Sequence, residues 1–192
     1  MHMLNLQKND VLDLTKKNPG LKNIILGAGW DVAKKGFFSF QADYDLDLVA
    51  VLLSKSGRVT GKQSLVYYGN QREAGIYLHG DNRTGAGDGD DEKISVALDK
   101  IPTDTERVVF AVTIYQAKTR NQNFGKVRNA YVRLVDEDKR GAEICRYNLT
   151  DDGGTNTAIV FAELVREGSE WQFKAVGKLL DASVSSLYES YK

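Results

Sequence analysis

Apolar positions along the chain fall in short runs, rich in β-branched and aromatic residues and bounded by Gly, Asn and Asp. The runs are LKNIIL (21–26), YDLDLVAVLL (44–53), SLVYY (64–68), KISVAL (93–98) and RVVFAVTIY (107–115). AYVRLV (130–135), AEICRYNL (142–149), TAIVFAELVRE (157–167) and WQFKAVG (171–177) follow. Strands of this length and spacing predict an all-β fold, a β-sandwich of two mainly antiparallel sheets with short helices. The turn within REGSEW makes 157–167 and 171–177 a hairpin. Two segments break the rhythm. RNQNFGKV (120–127) predicts a short helix or turn. DASVSSLYESYK (181–192) places Val184, Leu187, Tyr188 and Tyr191 at helical spacing behind Asp181, a candidate N-cap. This C-terminal helix is expected to pack on the sandwich, with partner binding as the alternative. No fixed-period repeat or low-complexity linker divides residues 1–192, so a single sandwich domain is expected.

Composition narrows the function classes. Lys plus Arg (26) equals Asp plus Glu (26), and no basic stripe is visible, which argues against a nucleic-acid partner. Cys145 is the single cysteine, so no intrachain disulfide can form and a dithiol relay lacks its second thiol. The strand around Cys145 suggests a small buried apolar residue. No apolar run approaches the about 20 residues that span a bilayer, and MHMLNLQKND lacks the apolar core of a signal peptide. A soluble, cytoplasmic protein is expected.

Against that neutral background one stretch stands apart. GDNRTGAGDGDDE (80–92) carries Asp81, Asp88, Asp90, Asp91 and Glu92 against Arg83 alone, a local charge of −4. In DYDLDL, strand alternation projects Asp43, Asp45 and Asp47 to one face, with Leu46 and Leu48 on the other. Same-face carboxylates there lie about 7 Å apart and repel, unless a cation sits between them. Asp88, Asp90 and Glu92 repeat the i, i+2, i+4 pattern entering KISVAL. These donors are hard oxygens, which favour calcium over zinc or copper and, given the irregular glycine-rich segment, over magnesium. Two calcium ions sharing bridging carboxylates would suit so many donors. A solvated acidic loop without a ligand is the plainer alternative. An EF-hand does not fit: counted from Asp81, Glu92 takes the final ligand position, but Arg83 and Gly85 occupy others and Ala86 replaces the turn glycine.

LGAGWD (26–31), YDLDLVAVLL (44–53), HGDNRTGAGDGDDE (79–92) and NFGKVRNAYVRLVD (123–136) together resemble the TerD family of bacterial tellurium-resistance and stress-response proteins. EICRYNL (143–149) and WQFKAVG (171–177) continue the resemblance, which covers nearly the whole chain in order. It implies a calcium-binding β-sandwich whose ligands are Asp45, Asp47, Asp81, Asn82, Asp88, Asp90, Asp91 and Glu92, with Asp31 of the Gly-Trp-Asp motif in the same region. It brings no catalysed reaction. Calcium itself and the protein partners of a stress-response complex, including at the membrane surface, are the expected partners. A calcium-gated docking module for membrane phosphates or a protein partner is the competing reading, and a metal-dependent hydrolase a more distant one.

Other chemistry fits less well. LGAGWD opens like a dinucleotide loop, but Val32 stands at the third glycine position. SGRVTGKQS has one spacer residue too few for a P-loop, and Gln63 replaces the hydroxyl residue. His79 is the one histidine well inside the chain and is expected to pack beside the acidic loop. Clustered oxygen donors exceed what a glycosidase pair of acids would need.

Overall fold

The computed structural model describes residues 3–32, 44–61, 63–80, 89–149 and 152–192. Its strands are β1 (Leu4–Leu6), β2 (Val11–Asp13), β3 (Asn23–Val32), β4 (Leu46–Leu53), β5 (Leu65–Val66), β6 (Arg72–Glu73) and β7 (Ile76–Leu78). β8 (Glu92–Ala97), β9 (Arg107–Ile114), β10 (Val127–Asp136), β11 (Ala142–Asn148), β12 (Ala158–Glu167) and β13 (Glu170–Leu180) complete them. Among the described residues the α-helices are short: α1 (Leu14–Lys17) and α2 (Ala117–Arg120) lie between strands, and α3 (Val184–Glu189) follows β13.

The strands form two sheets, ordered β1-β11-β10-β3-β8-β7-β6 and β2-β13-β12-β9-β4-β5. Every pairing is antiparallel except that of β1 with β11. The sandwich expected from the short apolar runs is therefore the observed architecture, and the hairpin of β12 and β13 is its predicted one. Between the sheets lies the main core, where Ile24, Leu26, Ala28 and Trp30 of β3 meet Leu46, Leu48, Ala50 and Leu52 of β4.

The remaining face of β4 is covered too. Val49, Val51 and Leu53 join Val109, Ala111 and Val160 in a second apolar cluster closed by Leu187 of α3, with Val184, Tyr188 and Tyr191 against it. Burial on both faces explains why LDLVAVLL reads as a nearly continuous apolar run instead of alternating. The C-terminal helix packs on the sandwich through the residues its spacing singled out.

Two local expectations, the cap of α3 and the extent of SLVYY, differ. Ser183, not Asp181, caps α3: its side chain accepts from the Ser186 N–H, and Ser186 returns the bond in a capping box. Asp181 instead accepts a 3.0 Å hydrogen bond from the Thr157 hydroxyl and pairs with Lys118 at 3.3 Å. The short helix or turn expected over 120–127 is a 3-10 turn over Phe124–Lys126, preceded by α2, which ends at Arg120. SLVYY supplies only two strand residues, because the chain turns back at once and Tyr67 exchanges backbone bonds with Asn70.

Candidate metal centre

The acidic stretch ends where β8 begins, and its last two residues are buried for a backbone reason. Alternation along β8 sends Glu92, Ile94 and Val96 inward. Glu92 Oε2 then accepts a 2.5 Å hydrogen bond from the Leu48 N–H of the opposite sheet. Leu48 has the same parity as Leu52, whose N–H reaches Ser64 O at 2.9 Å on the side away from β9. β5 pairs only with Ala50 and Val51, so the Leu48 N–H lies past its end and Glu92 supplies the acceptor. Asp91 plays the matching part on β3. The β3–β8 ladder ends at Ala28↔Glu92; the Asp91 N–H donates to Ala28 O at 2.8 Å, and its carboxylate accepts the Trp30 N–H at 2.8 Å. Consecutive carboxylates thus close one open strand edge in each sheet. Burial pushes the Asp91 carboxyl above its ordinary pKa; the Trp30 N–H opposes this, while Asp31 and Asp90 add to it.

Glu92 reaches β4 one residue from Asp47, which is itself 4% exposed. Asp47 lies on the face of β4 opposite Leu46 and Leu48, as the alternation predicts. Asp45 precedes the strand, with its carbonyl accepting from the Tyr115 N–H at 2.7 Å and its carboxylate 3.8 Å from Arg120 Nη1. Tyr68 and Tyr115 border this pair, with Tyr67 against Tyr68. Tyr67 and Tyr68 meet edge to face at 5.0 Å, Tyr68 and Tyr115 at 5.8 Å, and Arg120 lies 5.0 Å over the Tyr115 ring. The Tyr68 phenol is shifted upward by burial first, then by the negative charge of Asp47, with Tyr115, Tyr67 and Asp45 adding to it.

Asp90 is placed differently from the i, i+2, i+4 expectation. β8 starts only at Glu92, so alternation does not extend back to Asp90. Its carboxylate folds over Gly27 on the outer face of β3, where any Cβ would collide with it. Arg133 Nε–H and Nη2–H donate to its two oxygens at 2.7 and 2.9 Å, and the Tyr131 hydroxyl donates at 3.1 Å. Arg133 also reaches Glu143 at 3.1 Å, Glu143 holds Arg146 at 3.0 Å, and Arg146 covers the Tyr131 ring at 4.2 Å. Within this network burial and the Asp90 charge push the Tyr131 phenol up to about 12. Sequence reasoning missed Arg133; its outward parity beside the small Gly27 was the available signal.

Asp31 is exposed and accepts from Asn129 Nδ2 at 2.7 Å. With Asp91, Trp30, Tyr131 and Arg146 it lines a cavity of about 480 Å³. Asp43, Asp81, Asn82 and Asp88 lie outside the described residues. Among the described residues no three His, Cys, Asp or Glu side chains converge to hold a metal by themselves. The structure thus brings Glu92 to β4 beside Asp47, keeps Asp91 on β3 next to Asp31, and engages Asp90 with a guanidinium. Cys145 is fully buried.

The fold and this edge define a class: two-sheet sandwiches with paired acidic segments at an open strand end. The chain belongs to the TerD family, whose domain model matches residues 1–191. It is 40% identical over 190 residues to tellurium resistance protein TerD of Serratia marcescens, covering 98% of this chain and 96% of that one. It is 39% identical over 191 residues to general stress protein 16U of Bacillus subtilis (strain 168), again covering 98% and 96%. Among solved structures, a homologue of telluride resistance protein (TerD) from Streptomyces coelicolor A3(2) shares the fold with a TM-score of 0.69 at 23% identity, covering 88% of this chain and 96% of that one. A further protein, described as of unknown function, gives a TM-score of 0.71 at 25% identity, covering 88% and 95%. Among the described residues no helix is long and apolar enough to cross a membrane.

Proposed function

We propose that the protein is a non-enzymatic, cytoplasmic, calcium-binding member of a stress response of the tellurium-resistance type. The ligands would come from Asp45, Asp47 and the acidic stretch (Asp81, Asn82, Asp88, Asp90, Asp91 and Glu92), with Asp31 at the periphery and two ions sharing carboxylates. One observation carries this reading: the Glu92–Leu48 hydrogen bond ties the end of the acidic stretch to the strand that bears Asp47. The donor set fits calcium, because the acidic side chains at this edge are oxygen donors and Asp47, Asp91 and Glu92 are buried. Calcium would supply the positive charge that offsets repulsion among them. The chain's own part is to tie β8 to β4 across the two sheets through the Glu92–Leu48 bond, so that the acidic stretch would meet Asp45 and Asp47. The names of the relatives support the stress-response assignment.

Terbium, which takes calcium's place and is excited through nearby tyrosines, tests the site directly. Tyr68 and Tyr115 border Asp45 and Asp47. Tyrosine-sensitised terbium emission is expected, displaced by calcium far better than by magnesium and lost in Asp45→Ala with Asp47→Ala. An unchanged melting curve in millimolar calcium, together with no sensitised emission, would overturn the reading. A calcium-gated docking module is the second reading, favoured by Tyr68, which is 43% exposed beside the same carboxylates. Calcium-dependent flotation with anionic vesicles, abolished by Tyr68→Ala, separates it from a site that only orders the fold.

A further inference from the structure

A second polar cavity lies on the seven-stranded sheet and shares no lining residue with the carboxylate edge. Tyr77 pairs with Ser95 across β7 and β8, and His79 follows two residues later on the same face. His79 Nε2 and Ser95 Oγ share a 2.7 Å hydrogen bond, and the His79 and Tyr77 rings stand 4.6 Å apart. Arg72, opposite Tyr77 on β6, lays its guanidinium 4.3 Å over the Tyr77 ring. Lys100, on the 3-10 turn that follows β8, packs against the turn between β6 and β7. Gly75 permits that approach: it has φ +80°, and a Cβ on it would sit 2.7 Å from Lys100 Cβ. These residues enclose a cavity of about 460 Å³, with Glu137 as the acidic residue in its lining.

Neither cation has a carboxylate partner among the described residues. The tyrosine ring holds the guanidinium by its face, which leaves the N–H fork at its edge for a ligand. A fork, a point charge and a serine hydroxyl around one hollow are the donors that recognise a phosphate-like anion bidentately. We propose that this cavity binds a phosphate-sized oxyanion, carried free or as the phosphoryl group of a small molecule. Its volume exceeds that of phosphate alone and lies in the ordinary range for small-molecule sites, about 300–1,000 Å³. Glu137, in the same lining, can accept a hydrogen bond from a hydroxyl or amine on the rest of such a molecule. The proposal is independent of calcium.

The test is a titration of the full chain in calcium-free buffer with inorganic phosphate and, separately, with a nucleoside monophosphate. It is read by the NMR signals of the His79 ring and the Ser95 amide. Saturable shifts are expected in wild type, with binding weakened about tenfold or more in Arg72→Gln and in Lys100→Gln. Arg72→Lys should recover only part of the loss, since it keeps charge without the fork. Tighter binding of the nucleotide assigns a phosphorylated small molecule; equal binding assigns the free anion. Absence of saturable shifts with either probe overturns the proposal, as do shifts that persist in Arg72→Gln/Lys100→Gln with its amide spectrum otherwise native.

Discussion

Replacing Gly27 by alanine tests whether the Asp90–Arg133 pair holds the end of the acidic stretch on the sheet. The new methyl would occupy the space of the Asp90 carboxylate and push it off Arg133. Asp90's side chain is 1% exposed and Arg133's 29%, so the pair is half-buried on one side only. Breaking a buried pair costs about 3–5 kcal/mol. Arg133 keeps Glu143 and some water, which places the loss near the lower end, about 3 kcal/mol. Alanine recovers about 0.5–1 kcal/mol over glycine within a strand. The net destabilisation is about 2 kcal/mol, or about 4–8 °C in Tm for a chain of this size. Urea unfolding and calorimetry in EDTA measure it free of divalent ions. The decisive comparison is the same substitution in an Asp90→Ala background, where the methyl has nothing to displace and should be neutral or mildly stabilising. The coupling between the two positions should then approach the whole pair loss, about 3 kcal/mol. Additive penalties, with coupling under about 0.5 kcal/mol, would refute the reasoning.

Ser183→Ala removes the observed cap of α3 and should cost about 1 kcal/mol in urea unfolding, with the terminal helix exchanging amide protons first. A larger loss from Asp181→Ala at the helix itself would return the cap to the residue first expected there. Burial pushes the Cys145 thiol up to about 12, so it should stay unlabelled by a disulfide reagent at neutral pH and react only on unfolding. Rapid native labelling would contradict that burial.

Much of the sandwich was legible because its strands carry their burial in local composition. RVVFAVTIY and TAIVFAELVRE needed no distant information to be read as strands. β1 and β2 were not legible: each has three residues, and the exposed Leu4 and Val11 carry no inward pattern. β1 becomes a strand only by parallel pairing with residues 145–147, a contact no local window contains. The helix cap failed for a related reason. Asp181 and Ser183 are both good caps by type, and the choice fell to Thr157, which draws Asp181 away from the helix start.

The carboxylates show the same division more sharply. Their number and residue type were plain in the sequence, and Asp47 took the face that alternation assigned. Their partners were not, because each is fixed by an unfilled backbone or side-chain donor elsewhere in the fold. Trp30 and Leu48 each present an N–H past the end of a neighbouring strand, and a carboxylate meets such a need as well as a peptide carbonyl. Asp90 lies 43 residues from Arg133, across a gap that exists only because residue 27 has no side chain. An acidic run that looks uniform in one dimension is therefore divided by the sheets. Asp91 and Glu92 complete the two strand edges, and Asp90 anchors the stretch on the outer face. These positions carry structural cost whether or not an ion is bound. Calcium dependence should accordingly be sought at Asp45 and Asp47, where a substitution leaves both strand-edge bonds in place.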